Sequence, residues 1–140
     1  MGATVSYRTE FESSYLQNCV LHSHRYRVEV TVDGPQRHEN KGKVIEFSHL
    51  AQYVNQICYG GYFLYGTDIL PSERPVIDAL KNANIKVWGL PFSLSVENFC
   101  IDIADRLQII LTKFEPGVRV IEVKLRETND SFATWTIDSK

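Results

Sequence analysis

Alternation of apolar and polar side chains is clearest over residues 24–33 of the chain. Every second position from Tyr26 to Val32 is apolar, and arginine, glutamate and threonine occupy the positions between them. Successive side chains of a strand point to opposite faces, so this pattern predicts a strand with one buried and one polar face. Residues 4–12 alternate more weakly, and we expect the two strands to pair antiparallel.

The C-terminal part of the chain alternates in the same way. Residues 118–127 place Ile121, Val123 and Leu125 on one predicted face and charged side chains on the other. Residues 131–138 can return as a partner strand across the turn Thr128-Asn129-Asp130. These two segments predict a second antiparallel hairpin.

A repeat of three to four residues predicts helices in the middle of the chain. The first predicted helix has Ser48 as its N-cap and stops at Gly60-Gly61. Its apolar side carries Leu50, Val54 and Ile57.

The longest predicted helix begins after Ser95, its N-cap, and breaks at Glu115-Pro116-Gly117. Between the two helices, Pro75 predicts the start of a short helix, and residues 85–89 (IKVWG) are expected to be extended. The apolar stripe of the longest helix consists of Val96, Phe99, Ile103, Leu107, Ile110 and Phe114.

The order of elements is therefore two strands, two principal helices separated by an irregular stretch, and two more strands. Hairpins interrupted by helices are typical of an antiparallel sheet with helices packed on one face. The sequence predicts an α+β fold with an antiparallel four-stranded sheet in ββ-α-α-ββ order. Residues 1–140 are expected to form a single domain.

Charge and composition exclude several classes of protein. The chain has 140 residues, 44% of them hydrophobic, and a formal net charge of −2, which gives no general attraction to nucleic acid. No run reaches the roughly 20 apolar residues of a membrane span, so no membrane association is expected. Three widely spaced cysteines suit a reducing compartment, and we expect a cytoplasmic protein.

His22 and His24 form the first candidate site. Two imidazoles at alternate positions of a strand project from one face about 7 Å apart and can share a metal ion. Zinc needs at least one further protein ligand, and the alternative is a histidine pair bonded to neighbours or solvent. Cys19 precedes the pair as a candidate nucleophile, proton-transfer group or metal ligand, unless it is simply a loop cysteine.

Glu127 is the second candidate. Alternation places its carboxylate on the apolar face of residues 118–127, where a charged group needs hydrogen-bond donors. A ring with adjacent N–H and amino groups, such as a pterin or guanine edge, would bind it in a bidentate manner. Alternatively, the alternation fails at the last residue of the strand, and Glu127 is solvated at the turn.

Five short motifs occur in the order and spacing of one known family. They are Phe11-Glu12-Ser13-Ser14-Tyr15, Cys19…His22-Ser23-His24-x-Tyr26, Gly42-Lys43-Val44-Ile45-Glu46-Phe47, Ser95-Val96-Glu97-Asn98 and Glu127-Thr128. Over residues 5–138 the chain resembles the 6-pyruvoyltetrahydropterin and 6-carboxytetrahydropterin synthases. The resemblance implies the tunnelling fold (T-fold), in which subunits join their sheets into a homo-oligomeric barrel, usually a trimer or a hexamer, that binds a pterin.

The resemblance also shows where this chain departs from the family. Three histidines hold the family's zinc, and His22 and His24 match two of them, but Tyr15 occupies the third position. Tyrosine ligates metals only as phenolate, and its pKa is about 10, so zinc affinity should be lowered or lost. Cys19 matches the family's catalytic cysteine approximately, whereas its Asp-His pair has no counterpart, because no histidine follows His49.

The residues that anchor the pterin in this family are present. Glu127-Thr128 matches the family's Glu-Thr, in which the glutamate clamps the amino group and a ring nitrogen of the pterin. Glu97 and Asn98 match a helix start in the family's ligand site. Residues implied to bind the ligand are therefore retained, whereas residues implied to perform the chemistry are missing.

Two hypotheses about activity follow from this contrast. The leading hypothesis is a homologue that binds a pterin-like or purine-like ligand and lacks the zinc-dependent lyase activity. The alternative is an active 6-carboxy- or 6-pyruvoyltetrahydropterin synthase that converts dihydroneopterin triphosphate. It would use Cys19 and an acid such as Asp68, with zinc held by His22, His24 and either water or Tyr15.

Overall fold

The fold was obtained as a computed structural model, which describes residues 2–58, 60 and 62–139. Its sheet strands and α-helices, in chain order, are β1 (Gly2–Gln17), β2 (Val20–Pro35), α1 (Phe47–Ile57), β3 (Tyr62–Tyr65), α2 (Arg74–Asn82), β4 (Val87–Gly89), α3 (Val96–Phe114), β5 (Arg119–Arg126) and β6 (Phe132–Thr136). Short 3-10 helices lie at His38–Asn40 and Ile137–Ser139.

The β1–β2 hairpin forms the centre of the sheet. The strands pair antiparallel over their whole lengths, from Gly2 opposite Pro35 to Gln17 opposite Val20, which confirms the predicted pairing. Asn18 and Cys19 form the two-residue turn with φ values of 51° and 63°. Positive φ at both turn positions matches the twist of the flanking strands, so the hairpin continues without a break to its tip.

The prediction of an antiparallel four-stranded sheet is wrong for the described residues. They form one six-stranded sheet in the order β4-β3-β1-β2-β5-β6. Strand β3 pairs parallel with β1, and β4 pairs parallel with β3. These two strands have only four and three residues, too short for an alternating pattern to be recognised in the sequence.

The intervening stretch contains the two elements that were expected there. Residues 87–89 form β4, which confirms the extended segment within residues 85–89. Helix α2 begins at Arg74 with Pro75 in its first turn, which confirms the short helix. Proline suits this position because the first helical N–H groups have no partner within the helix.

One face of the sheet is covered by helices, as predicted. Tyr26, Val28, Val30 and Val32 are each no more than 1% exposed and share a core with apolar residues of α1 and α3. Arginines that alternate with them on β2 are exposed on the opposite face. Burial of the valine side chains contributes roughly 1.5–3 kcal/mol each, so this face contributes much of the core's stability.

The start of α1 differs from the prediction. The helix begins at Phe47 with Glu46, not Ser48, at the N-cap position, and no side chain caps it. The Glu46 carboxylate instead accepts a hydrogen bond from Lys43 at 3.1 Å. The helix ends at Ile57, before the predicted Gly60-Gly61 stop, of which Gly61 lies outside the described residues.

Helix α3 keeps its predicted cap but not its whole predicted stripe. The Ser95 hydroxyl accepts a hydrogen bond from the Asn98 amide at 3.0 Å. Phe114 was expected in the core but is 57% exposed, whereas Leu111 is fully buried. A helix of 3.6 residues per turn continues its buried line from Leu107 to Leu111, so Phe114 falls to the side. None of the helices in the described residues is long and apolar enough to span a membrane.

A bulge in β5 changes the predicted alternation. Thr31 pairs with Glu122 and Val32 with Val120, so Ile121 has no partner in the ladder and is only half-buried. The predicted buried position of Ile121 is therefore wrong, because an extra residue shifts the side-chain alternation. The irregularity precedes Val123, so the alternation toward Glu127 is unaffected.

Replacing Ser95 tests the cap of α3. We expect Ser95→Ala to lower the free energy of unfolding by about 1 kcal/mol, because one helix-start amide loses its acceptor. Urea unfolding monitored by circular dichroism measures this change. Ser93→Ala is the matched control, because Ser93 accepts a hydrogen bond from Asn98 through its backbone carbonyl, which the substitution keeps. An equal loss in both variants would contradict the capping role.

Candidate functional site

The candidate site lies near the tip of the β1–β2 hairpin, on the face that the helices cover elsewhere. Tyr15 pairs directly with His22 across the hairpin, and Tyr26 pairs with Phe11 four residues further along β2. Arg27 pairs with Arg126, so Glu127, just beyond the end of β5, lies beside Tyr26. Register alone therefore brings together residues from both ends of the chain.

Tyr15 and the two histidines form a row of aromatic rings. The rings of Tyr15 and His22 stack at 5.2 Å between centroids with an angle of 13° between their planes. The imidazoles of His22 and His24 lie 6.4 Å apart and are tilted by 20°. In the described part of the chain, no three His, Cys, Asp or Glu side chains are grouped as a set of metal ligands.

The Glu127 carboxylate points into the protein and not into solvent. Its Oε1 lies 3.4 Å from the Tyr15 hydroxyl and 3.4 Å from His24 Nε2. The Tyr26 hydroxyl donates to Oε2 at 3.4 Å, and the side chain is 20% exposed. Strong O–H···O⁻ bonds are about 2.5–2.7 Å long, so these contacts leave the carboxylate with acceptor capacity.

Both tyrosines beside Glu127 retain their protons at neutral pH. Burial raises the pKa of Tyr15, and the negative charge of Glu127 and the hydrogen bond to it raise this pKa further. Burial, followed by the charge of Glu127, also raises the pKa of Tyr26. A phenolate beside a carboxylate would repel it, so the two phenols act as donors to Glu127.

A cavity of about 510 Å³ opens beside this cluster. Its walls come from the end of β1, from β3 and the loop after it, and from the starts of α2 and α3. Its volume falls in the range of about 300–1,000 Å³ that is usual for small-molecule sites. Side chains with aromatic rings on the wall are Tyr15, Tyr26, Phe63, Tyr65 and Phe99.

Two further carboxylates line the cavity, and both are bonded to the backbone. Asp68 Oδ1 accepts from the Leu94 amide at 2.9 Å. Glu73 is only 4% exposed and accepts from the amides of Leu70 and Cys19, each at 3.1 Å. Glu73 therefore ties the tip of the central hairpin to the start of α2 at the cavity wall.

Cys19 and Thr128 lie in turns outside the cavity wall. Cys19 is exposed at the tip of the hairpin, with its Sγ 3.7 Å from the Ser72 hydroxyl. The Thr128 hydroxyl accepts from the Ser131 amide at 3.0 Å within the β5–β6 turn. Thr128 thus orders the turn that positions the neighbouring Glu127.

Glu97 and Asn98 belong to the first turn of α3. Glu97 is exposed, and neither residue is among those that line the cavity. The Asn98 side chain donates to the Ser93 carbonyl at 2.8 Å and so holds the loop before the helix. Ser95 and Val96, their neighbours in the same motif, contribute to the wall.

The sequence analysis did not predict Tyr26 as a site residue, and it did not predict that Glu73 lines the cavity. Tyr26 shares the strand face of His22 and His24, so the same alternation could have identified it. Glu73 precedes a short helix in the least patterned stretch, and no sequence signal indicated that it contacts the hairpin tip.

Comparisons with known proteins identify the family of this chain. A model of the 6-pyruvoyl tetrahydropterin synthase family matches residues 5–137. The 6-carboxy-5,6,7,8-tetrahydropterin synthase of Haemophilus influenzae is 27% identical over 120 residues, which are 82% of this chain and 81% of that protein.

Solved structures share the fold. The 6-pyruvoyl tetrahydropterin synthase of Plasmodium falciparum matches with a TM-score of 0.67 and 21% identity, covering 96% of both chains. The Caenorhabditis elegans synthase matches with a TM-score of 0.66 and 14% identity, over 97% of this chain and 96% of that one. These matches confirm the α+β T-fold. The chain belongs to the 6-pyruvoyl tetrahydropterin synthase family.

Proposed function

We propose that this protein binds a pterin-like or purine-like ring through Glu127 and does not carry out the family's zinc-dependent lyase reaction. The observation that carries the proposal is the Glu127 carboxylate at the wall of the cavity. The Tyr15 and Tyr26 hydroxyls donate to it at 3.4 Å, and His24 Nε2 lies 3.4 Å from its Oε1. A carboxylate that is 80% shielded from solvent but weakly bonded is ready to accept stronger donors from a ligand.

The edge of an aminopyrimidinone ring supplies the required donors. Its amino group and adjacent ring N–H can bind both carboxylate oxygens in parallel, which is the strong bidentate arrangement. The aromatic side chains on the wall provide flat apolar surface for the ring. Pterins and guanine derivatives share this edge, so both belong to the proposed ligand class.

The donor set around the two histidines does not fit the family's zinc site. A third imidazole would have to stand where Tyr15 stands, and burial and Glu127 raise the pKa of that phenol. A protonated phenol is a poor zinc ligand. The residues present therefore do not fit the zinc ion of the family.

The lack of the family's proton-transfer groups also supports the proposal that the lyase reaction is absent. The sequence has no histidine after His49, and the Cys19 thiol lies at the exposed hairpin tip, outside the cavity wall. Asp68 lines the cavity, but one of its oxygens already accepts from the Leu94 amide. Catalytic groups act as a set, so the absence of the third zinc histidine and of the family's Asp-His pair is expected to reduce turnover by orders of magnitude.

We also propose that copies of this chain assemble into the trimeric or hexameric barrel of the T-fold. In the described residues the sheet ends at two edge strands, β4 and β6, whose outer backbone groups can pair with another chain. Phe132 on β6 is 61% exposed at this edge. Light scattering on the purified protein should give three or six times the chain mass of 16.1 kDa, and a monomer would contradict the assembly.

Replacing Glu127 tests the binding site. We expect Glu127→Ala to bind neopterin or guanosine about 100-fold more weakly than the parent, because two charge-assisted hydrogen bonds are lost. Isothermal titration calorimetry measures the dissociation constants. Glu122→Ala is the matched control, since Glu122 lies on the opposite face of β5 and contacts Lys124. If Glu127→Ala binds as tightly as the parent, the site is not at Glu127.

Restoring a third imidazole tests the loss of zinc chemistry. We expect Tyr15→His to bind zinc at least about tenfold more tightly than the parent, because imidazole ligates zinc without losing a proton at neutral pH. Tyr15→Phe is the control and should not gain affinity. Zinc content after mild chelation and competition titrations provide the measurement. One tightly held zinc per parent chain, with turnover of dihydroneopterin triphosphate, would instead establish an active synthase.

A further inference from the structure

The charge of the cavity wall restricts which side chain a bound ring compound can carry. The wall contains the carboxylates of Asp68, Glu73 and Glu127, and none of the described residues that line it is lysine, arginine or histidine. We infer that the natural ligand is an unphosphorylated pterin-like or purine-like compound with a neutral or cationic side chain. This inference rests on the proposed function and concerns the part of the ligand beyond the ring edge that Glu127 binds.

The two carboxylates away from Glu127 are held in place. Leu94 donates its amide to Asp68 at 2.9 Å, and the amides of Leu70 and Cys19 each donate to Glu73 at 3.1 Å. These bonds connect the cavity wall to the start of α3, the loop before α2 and the hairpin tip. A ligand phosphate could not displace these side chains without breaking backbone contacts, so the negative wall is a fixed feature.

Helix N-termini at the cavity do not offer an anion site either. Free amides at a helix start bind phosphate well, and α2 and α3 both begin at the cavity. At α2 the Glu73 carboxylate already supplies the negative charge, and Pro75 has no N–H to donate. At α3 the Ser95 hydroxyl accepts from the Asn98 amide.

Lys81 and His24, two basic side chains that are not part of the cavity wall, each contact a wall residue. Lys81 Nζ lies over the Tyr65 ring at 5.4 Å from its centroid, outside the residues that line the cavity. His24 lies beside Glu127, at 3.4 Å from its Oε1. Triphosphate recognition normally uses several Arg or Lys side chains, because each phosphate needs charged donors. A neutral polyol or an amine meets no such requirement.

A comparison of two ligands tests the inference on the intact protein. We expect 7,8-dihydroneopterin to bind at least about tenfold more tightly than its triphosphate in calorimetric titrations at 150 mM salt. Equal or tighter binding of the triphosphate overturns the inference but leaves the pterin site in place. If neither compound binds, the proposed function fails, and the inference fails with it.

The salt dependence separates repulsion by this cavity from capture by basic residues of a neighbouring copy. Repulsion is screened by salt, so triphosphate affinity should rise between 20 and 300 mM salt, while that of dihydroneopterin stays constant. A triphosphate affinity that falls with salt would reveal a cationic site and overturn the inference.

Removal of one negative charge from the cavity wall provides a third test. Asp68→Asn keeps an oxygen that can accept from the Leu94 amide. We expect it to lower the ratio of the dissociation constant of the triphosphate to that of 7,8-dihydroneopterin at least about threefold. Asp105→Asn removes the same charge from the exposed surface of α3 and should leave the ratio unchanged. If both variants change the ratio equally, the discrimination comes from net charge and not from the cavity wall.

Discussion

Antiparallel pairing of β1 with β2 along sixteen residues of each strand is the constraint on which the rest of the structure depends. Because of this pairing, every second side chain of both strands points to the face that the helices cover. Where α1 and α3 pack, the residues on that face are apolar. Near the tip of the hairpin the same face carries Tyr15, His22 and His24. A shift of the register by one residue would turn both the core and the site toward solvent.

The site combines this hairpin with the end of β5. Glu127 faces two tyrosines whose pKa values are raised by burial and by the carboxylate itself. The phenols therefore stabilise the negative charge of Glu127, and the His24 ring lies 3.4 Å from its Oε1. We therefore propose that Glu127 accepts hydrogen bonds from ligand N–H groups and that the site is not a metal centre, because a protonated phenol is a poor zinc ligand.

Membership of the synthase family establishes the fold, and the residues of this chain modify what the site can do. Tyr15 stands where the resemblance places a zinc histidine, and the fixed carboxylates of Asp68 and Glu73 make the cavity wall negative. The hydrogen bonds of Glu73 also explain how the hairpin tip is held against the start of α2. The chain thus has the fold of the family, and three carboxylates, of Asp68, Glu73 and Glu127, line its cavity.

Local sequence pattern alone determined the long alternating strands, the Ser95 cap of α3 and the short helix at Pro75, because each depends on residues within one segment. For Glu127 the pattern left two orientations open, and the contacts with Tyr15 and Tyr26 decided between them. Tertiary structure alone decided the parallel strands β3 and β4 and the bulge at Ile121. It also decided which residues wall the cavity: Glu73 reaches the Cys19 amide across 54 positions of sequence. Such contacts depend on how distant segments pack against each other, and the periodicity within one segment does not predict this packing.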